Sequence, residues 1–215
     1  MTITLDPVTH TYRVDGEIKR SWSQVSREMG LSVEFPEAAF AHVENARARG
    51  TQVHAYAADY ILRGLPPPYD LVDSTDGQPY VHPETVPYLK AFEDFVLASG
   101  VSPTAIERPL YSPELDICCT PDFTTKIGVY DIKHTDKPSR TWGLQLACQA
   151  IAHDVLATRA IVWLRPKLKT RRYEVHSSDH SWNRIFTAFD FDVVREACAG
   201  IHGPAIKAWK ALEGR

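Results

Sequence analysis

Between Thr104 and His134 the chain reads TAIERPLYS, ICCTPDFTT and GVYDIKH, three short segments separated by turn signals at Pro113–Glu114 and Lys126–Gly128. Segments this short, rich in β-branched and aromatic residues and joined by tight turns, predict strands that pair antiparallel. WGLQLACQAIAHDVL follows with apolar residues at helical spacing, and IVWLRPKLKTRRYEV then reads as a strand, a basic turn and another strand. A helix between two strands gives the chain the length it needs to return parallel to its neighbour, whereas the short turns do not. This order predicts an α/β fold with a central mixed β-sheet flanked by helices.

The flanking segments extend that frame. TITLDPVTHTYRVDGEIK, residues 2–19, alternates apolar and polar positions around DP and DG turn signals and predicts a small β-hairpin. Ser21 or Ser23 is placed to cap a short helix that stops at Gly30. From Pro36 to Gly64, Phe40, Val43, Val53, Ala57 and Ile61 fall at helical spacing, with a break expected near Gly50 and Thr51 capping the second half. LPPPYDLVDSTDGQPYVHP is a loop by composition, and PETVPYLKAFEDFVLASG an amphipathic helix presenting Tyr88, Leu89, Phe92, Phe95 and Val96 on one face and ending at Gly100. Trp182 to Leu212 reads as helical with a break at Gly200–Gly203. The 215 residues suit a single domain over 1–215, with the N-terminal hairpin and short helix in 1–30, the core in 36–181 and C-terminal helices in 182–215.

Charge and cysteine content narrow the function. The formal net charge is −3 and the pI about 6.3, so nucleic acid would have to be met by a local patch and not by the whole surface. Cys118, Cys119, Cys148 and Cys198 have no CxxC spacing, which argues against a zinc or iron–sulfur site, and a disulfide framework is not expected at this length. A reducing, cytoplasmic setting is expected. MTITLDPVTHTYRV has neither a basic n-region nor an apolar h-region, and no apolar run reaches about 18 residues, so secretion and membrane insertion are not expected.

The chemistry concentrates in TPDFTTKIGVYDIK, residues 120–133. Residues two apart on a strand share a face, so Asp131 and Lys133 project together, roughly 7 Å apart, while Ile132 points the other way. Asp122 on the preceding strand lies about level with Asp131 if the turn centres on Ile127 and Gly128, and the three side chains then converge at one edge of the hairpin. Asp-x-Lys alone is as ordinary as any solvated strand face. Two converging carboxylates, however, repel unless something offsets them, and they suit Mg²⁺ or Mn²⁺, hard cations that take oxygen ligands and keep several waters. A lysine beside such an ion suits phosphodiester hydrolysis.

ThrProAsp at 120–122, AspIleLys at 131–133 and GlnLeuAla at 145–147 together resemble the PD-(D/E)xK nuclease superfamily, whose core has a restriction-endonuclease-like fold. ArgGlyThr-x-x-His at 49–54 resembles the branch that holds RecB-type and CRISPR-associated nucleases and phage exonucleases. That branch orders an RGT-x-x-H helix, a Glu-bearing strand, a G-T-x-D strand, a D-x-K strand and a Q-L-x-x-Y helix. Here Arg49 to His54, Glu107, Thr120 to Asp122, Asp131 to Lys133 and Gln145 follow in the same order. THTYRVDGE with SWSQV resembles the leader of small phage-encoded members. The resemblance covers most of residues 9–165 and lies in the ordered set.

The resemblance implies that Asp122, Asp131, the Ile132 carbonyl and His54 ligate Mg²⁺ or Mn²⁺, and that Lys133 is the catalytic lysine. It further implies that Glu107 stands outside them as a second-shell or outer ligand and that Gln145 steadies the site or meets a DNA phosphate. The chain departs from the pattern at Cys119, Gln149 and His134, where the family usually has Gly, Tyr and Thr. The chain-end cysteines that bind an iron–sulfur cluster in some relatives have no counterpart, so no cluster is expected. The implied activity is a phage-type exonuclease on linear DNA in recombination or DNA processing. A structure- or site-specific endonuclease and an inactive DNA-binding scaffold are the alternatives, and a strand-annealing recombinase partner and a homo-oligomer stay open.

DNA contacts have a candidate in RAIVWLRPKLKTRR, residues 159–172, which holds six basic residues and no acidic one. Arg165, Lys167, Lys169, Arg171 and Arg172 read equally well as a solvated turn or as a phosphate grip, with Arg47 and Arg49 across a cleft. Trp142, Trp163 and Tyr173 would either stack on a strand end or belong to the core, the commoner role. Without partners His54 would read as an interior histidine. His153, His176, His180 and His202 have no comparable partners and receive no role.

Overall fold

The computed structural model describes residues 1–32, 40–64, 84–135, 138–154, 158–164, 173–176 and 188–213. The expected loop at 65–83 and the basic turn at 165–172, with Arg165, Lys167, Lys169, Arg171 and Arg172, lie outside them, as do 36–39 and 177–187.

The N-terminal segment forms β1 (Ile3–Asp6), β2 (Thr11–Val14) and β3 (Glu17–Ser21), a meander with one strand more than the expected hairpin. The extra strand exists because Asp15–Gly16 turns the chain back, both residues at positive φ. Ser21 then caps α1 (Trp22–Glu28). Its Oγ accepts the Gln24 N–H while the Gln24 side chain accepts the Ser21 N–H, a reciprocal capping box that decides between the two candidate serines.

Two long helices follow, α2 (Phe40–Arg63) and α3 (Val86–Ser99), the second closed by Gly100 in the left-handed region. The break expected near Gly50 is absent. Thr51 does not cap a second segment; its hydroxyl donates to the Arg47 carbonyl one turn back, which leaves the helix continuous.

The segments expected as two strands, 104–112 and 117–125, are each broken in the middle. They become β4 (Ala105–Ile106), β5 (Leu110–Ser112), β6 (Ile117–Cys119) and β7 (Phe123–Thr125). The two breaks face each other, and the Glu107 N–H donates to the Asp122 carbonyl across them. This interruption divides the strands into two five-stranded sheets, β1-β2-β3-β6-β5 and, with β8 (Gly128–Lys133), β9 (Thr158–Leu164) and β10 (Tyr173–His176), β10-β9-β8-β7-β4, where one central sheet was expected. Both are mixed, with parallel pairs β3–β6 and β8–β9.

β8 (Gly128–Lys133), α4 (Thr141–His153) and β9 (Thr158–Leu164) form the parallel crossover, and β10 (Tyr173–His176) returns antiparallel to β9. α5 (Ala188–Cys198) and α6 (Pro204–Glu213) complete the described chain, which is thus α/β with mixed sheets and six helices among the described residues.

Alternation along β8 and β9 assigns their two faces. Ile132, Val162 and Leu164 pack with Phe123 against Tyr56 and Tyr60 of α2 and Leu89, Phe92 and Phe95 of α3. Val129, Ile161 and Trp163 pack against Trp142, Leu146 and Ala150 of α4. Residues 131 and 133 therefore share the α4 face, so any polar group there must be satisfied by that helix. A further apolar cluster joins α1, β6, α4, α5 and α6 around Ile117, Leu144, Val193 and Trp209. Trp142 and Trp163, 5% and 4% exposed, meet edge to face inside the core, which removes the strand-stacking reading for both.

Candidate active site

The hairpin β7–β8 turns at Lys126–Ile127, with Thr125 opposite Gly128 and Phe123 opposite Tyr130. The turn is centred about a residue earlier than the sequence suggested, and continuing this register puts Asp122 across from Asp131. β7 stops at Phe123, and the Asp122 side chain takes over where the ladder ends: the Ile132 N–H donates to Asp122 Oδ2. His54, from α2 on the opposite face, brings Nδ1 to 2.9 Å from Asp122 Oδ1. Asp122 thus ties a helix to a strand end through both of its oxygens.

Asp131 is 2% exposed and could not be buried unpaired. Its Oδ1 accepts from Gln145 Nε2 at 2.7 Å and from Gln149 Nε2 at 3.4 Å. Its Oδ2 lies 2.5 Å from Lys133 Nζ, an ion contact without an aligned hydrogen bond. Lys133 in turn donates to Gln145 Oε1 at 3.1 Å. Gln145 therefore bonds both charged partners, which fixes the sense of its amide.

Burial pushes the Asp131 carboxyl above the ordinary carboxylate range, against the pull of Lys133. The same burial opposes the Lys133 charge, but Asp131 and Asp122 outweigh it, and the ammonium is held above its usual value. For His54 too, burial is opposed by Asp122, whose charge and hydrogen bond leave the imidazole easier to protonate than usual.

Glu107 sits at the break between β4 and β5 with φ 42°, in the left-handed region that a residue with a side chain seldom adopts. The residue as a whole is exposed, yet partial desolvation and the nearby Asp122 charge raise its carboxyl. Thr120, at the same break, is tied to the N-terminal sheet by its Oγ1, 2.9 Å from the Tyr12 hydroxyl.

Of the residues singled out in the sequence, His54, Asp122, Asp131, Ile132, Lys133 and Gln145 are linked by these bonds, and Glu107 borders them. Arg49 is half-buried with its guanidinium carbon 5.3 Å from the Tyr88 ring centre, whereas Arg47 is exposed. Gln149 escaped the sequence reading as a site residue. Its place four residues after Gln145 on one helix face was the available signal. His134 stands where the resembled pattern has Thr. Its ring packs edge-on to Tyr88, and burial, with the charges of His54, Arg49 and Lys133, lowers its pKa to about 4.

Among the described residues no three His, Cys, Asp or Glu side chains are drawn together closely enough to cage a metal ion. Mg²⁺ does not require such a cage, since it is commonly held by one or two carboxylates with water completing the shell. Asp122 and Asp131 fit that requirement chemically, although an ion at Asp131 Oδ2 would compete with the Lys133 ammonium 2.5 Å away. The oxygens of Asp122 are already bonded, so an ion there would compete with His54. No helix among the described residues is long and apolar enough to cross a membrane. A scan against protein-family models and a search of curated proteins return no match to the chain.

Proposed function

We propose that the protein is a metal-dependent DNA nuclease of the PD-(D/E)xK kind, acting as an exonuclease on linear DNA. One observation carries this reading: two carboxylates, Asp122 and Asp131, stand at the end of one hairpin with Lys133 paired to the second and bridged to it by Gln145. A structural ion pair would be served by Asp131 and Lys133 alone. The second carboxylate, the imidazole on it and the amide bridge, all of them partly exposed, add polar groups that an ion pair buried in a core does not need.

Asp122 and Asp131 would hold Mg²⁺ or Mn²⁺, with His54 and the Ile132 carbonyl as further donors. Such an ion lowers the pKa of a bound water and offsets charge on a phosphoryl oxygen. The Asp131 and Asp122 carboxylates hold the Lys133 ammonium above its usual value, which suits it to serve as a fixed positive charge that orients a water or steadies the phosphoryl group. Gln145 holds the Lys133 and Asp131 side chains in one arrangement, which lowers the reorganisation needed during the reaction. Electrostatic approach of DNA is assigned to Arg47, Arg49 and the basic run at 165–172.

The reading is tested with linear duplex DNA labelled separately at its 5′ and 3′ ends, beside closed circles, in Mg²⁺ and in Mn²⁺. Release of one end label as mononucleotides, with circles spared, supports the exonuclease. Cutting of circles replaces it with an endonuclease, and no cutting in either metal removes the nuclease reading.

A further inference from the structure

Gly50 lies buried in the middle of the unbroken helix α2, where glycine is the poorest helix former short of proline. Something other than helix propensity must explain it. A Cβ placed on Gly50 would fall 2.6 Å from His134 Nε2 and 3.3 Å from its Cε1, so the ring occupies the space a side chain would need. Nε2 is buried there without a hydrogen-bond partner among the described residues, and the ring is backed by Tyr88 at 5.9 Å between centres. His134 directly follows Lys133 at the end of β8, while Gly50 and His54 are one turn apart on the same face of α2. The contact that brings Gly50 onto His134 therefore fixes the approach of the same helix face that carries His54 to Asp122.

We infer that Gly50 and His134 are positioning residues: the bare Gly50 backbone against the His134 ring sets the separation of α2 from the end of β8 and so holds His54 on Asp122. Any side chain at 50 would displace either the helix or the ring. The inference rests on the nuclease reading only for what that position serves; the packing claim stands apart from it.

Thermal unfolding and Mn²⁺ calorimetry on four proteins test it: wild type, Gly50→Ala, His134→Ala and the double variant. On helix propensity alone Gly50→Ala raises Tm in every background. The packing argument expects it to lower Tm when His134 is present and to raise Tm when residue 134 is Ala. A rise in both backgrounds overturns the inference. Should Gly50→Ala fail to fold, the double variant is expected to fold, and its failure would be equally fatal. For positioning, Gly50→Ala is expected to weaken Mn²⁺ binding by about tenfold or more, with recovery in the double variant to the level of His134→Ala. A lowered Tm with unchanged Mn²⁺ affinity overturns the positioning role. Absence of Mn²⁺ binding in wild type counts against the nuclease reading and against the positioning role built on it, while the reversal of sign in Tm still decides the packing.

Discussion

Replacing Lys133 by Met removes the ammonium that lies against Asp131 Oδ2 and leaves a carboxylate of 2% exposure without that counter-ion. Breaking a buried pair from one side costs about 3–5 kcal/mol. Because the lysine side chain keeps 21% exposure and water screens part of the interaction, we take the lower end, about 3 kcal/mol. For a chain of this size that corresponds to a fall in Tm of about 6–12 °C at pH 7. The sign of the pH dependence follows from Asp131. Its folded pKa is already above its unfolded value, and losing the lysine raises it further, so the folded state binds a proton that the unfolded state gives up. The unfolded state is common to both proteins, so the deficit is full above the variant's folded pKa and shrinks as pH falls from there toward the lower folded pKa of the wild type. Adding Asp131→Asn removes the orphaned charge, and the double variant is expected to return to within about 1 kcal/mol of wild type. Scanning calorimetry between pH 4.5 and 8 measures all of this. An unchanged Tm for Lys133→Met at pH 7, or a deficit that grows toward acid, would refute the buried-pair argument.

Other outcomes follow from the same structure. His54 is made easier to protonate than usual by Asp122, against the effect of burial, so Mn²⁺ arriving at Asp122 competes with a proton on the imidazole, and affinity should rise as pH rises through the raised imidazole pKa; calorimetry in buffers of different ionisation enthalpy should detect the released proton. Tyr12→Phe deletes the hydroxyl that meets Thr120 and should cost about 1 kcal/mol, read as a Tm decrease of about 2–4 °C. All four cysteines are free and buried, with burial raising the Cys118 and Cys198 thiols to about 11 and about 12. A disulfide-exchange reagent at pH 8 should therefore leave the native protein unlabelled and titrate four thiols after denaturation.

What was legible in the sequence depended on local signals. The Ser21–Gln24 capping box, the Gly100 stop and the apolar face of α3 declare themselves because each is set within a turn or two of helix. The pairing of Lys133 with Asp131 was legible for the same reason, since strand alternation alone puts them on one face. The breaks at Glu107 and at Thr120–Asp122 were hidden because each stabilises the other across a strand pair distant in sequence. Gly50 misled in an instructive way: glycine in a helical pattern reads as a break, but here it answers to a ring from β8 that no local window contains. Gln149 was overlooked because its buried carboxylate partner belongs to another element, although helix spacing already aligned it with Gln145.

In the proposed reaction the Asp122–Asp131–Lys133–Gln145 cluster hydrolyses DNA with a divalent ion. Its most direct test compares degradation of end-labelled linear duplex by wild type and by the Asp131→Asn, Lys133→Met double variant, both confirmed folded by their Tm, in Mg²⁺ and Mn²⁺. The account predicts steady loss of the label with wild type and none with the equally folded variant. Equal cleavage by both proteins, or no cleavage by wild type in either metal, would contradict it.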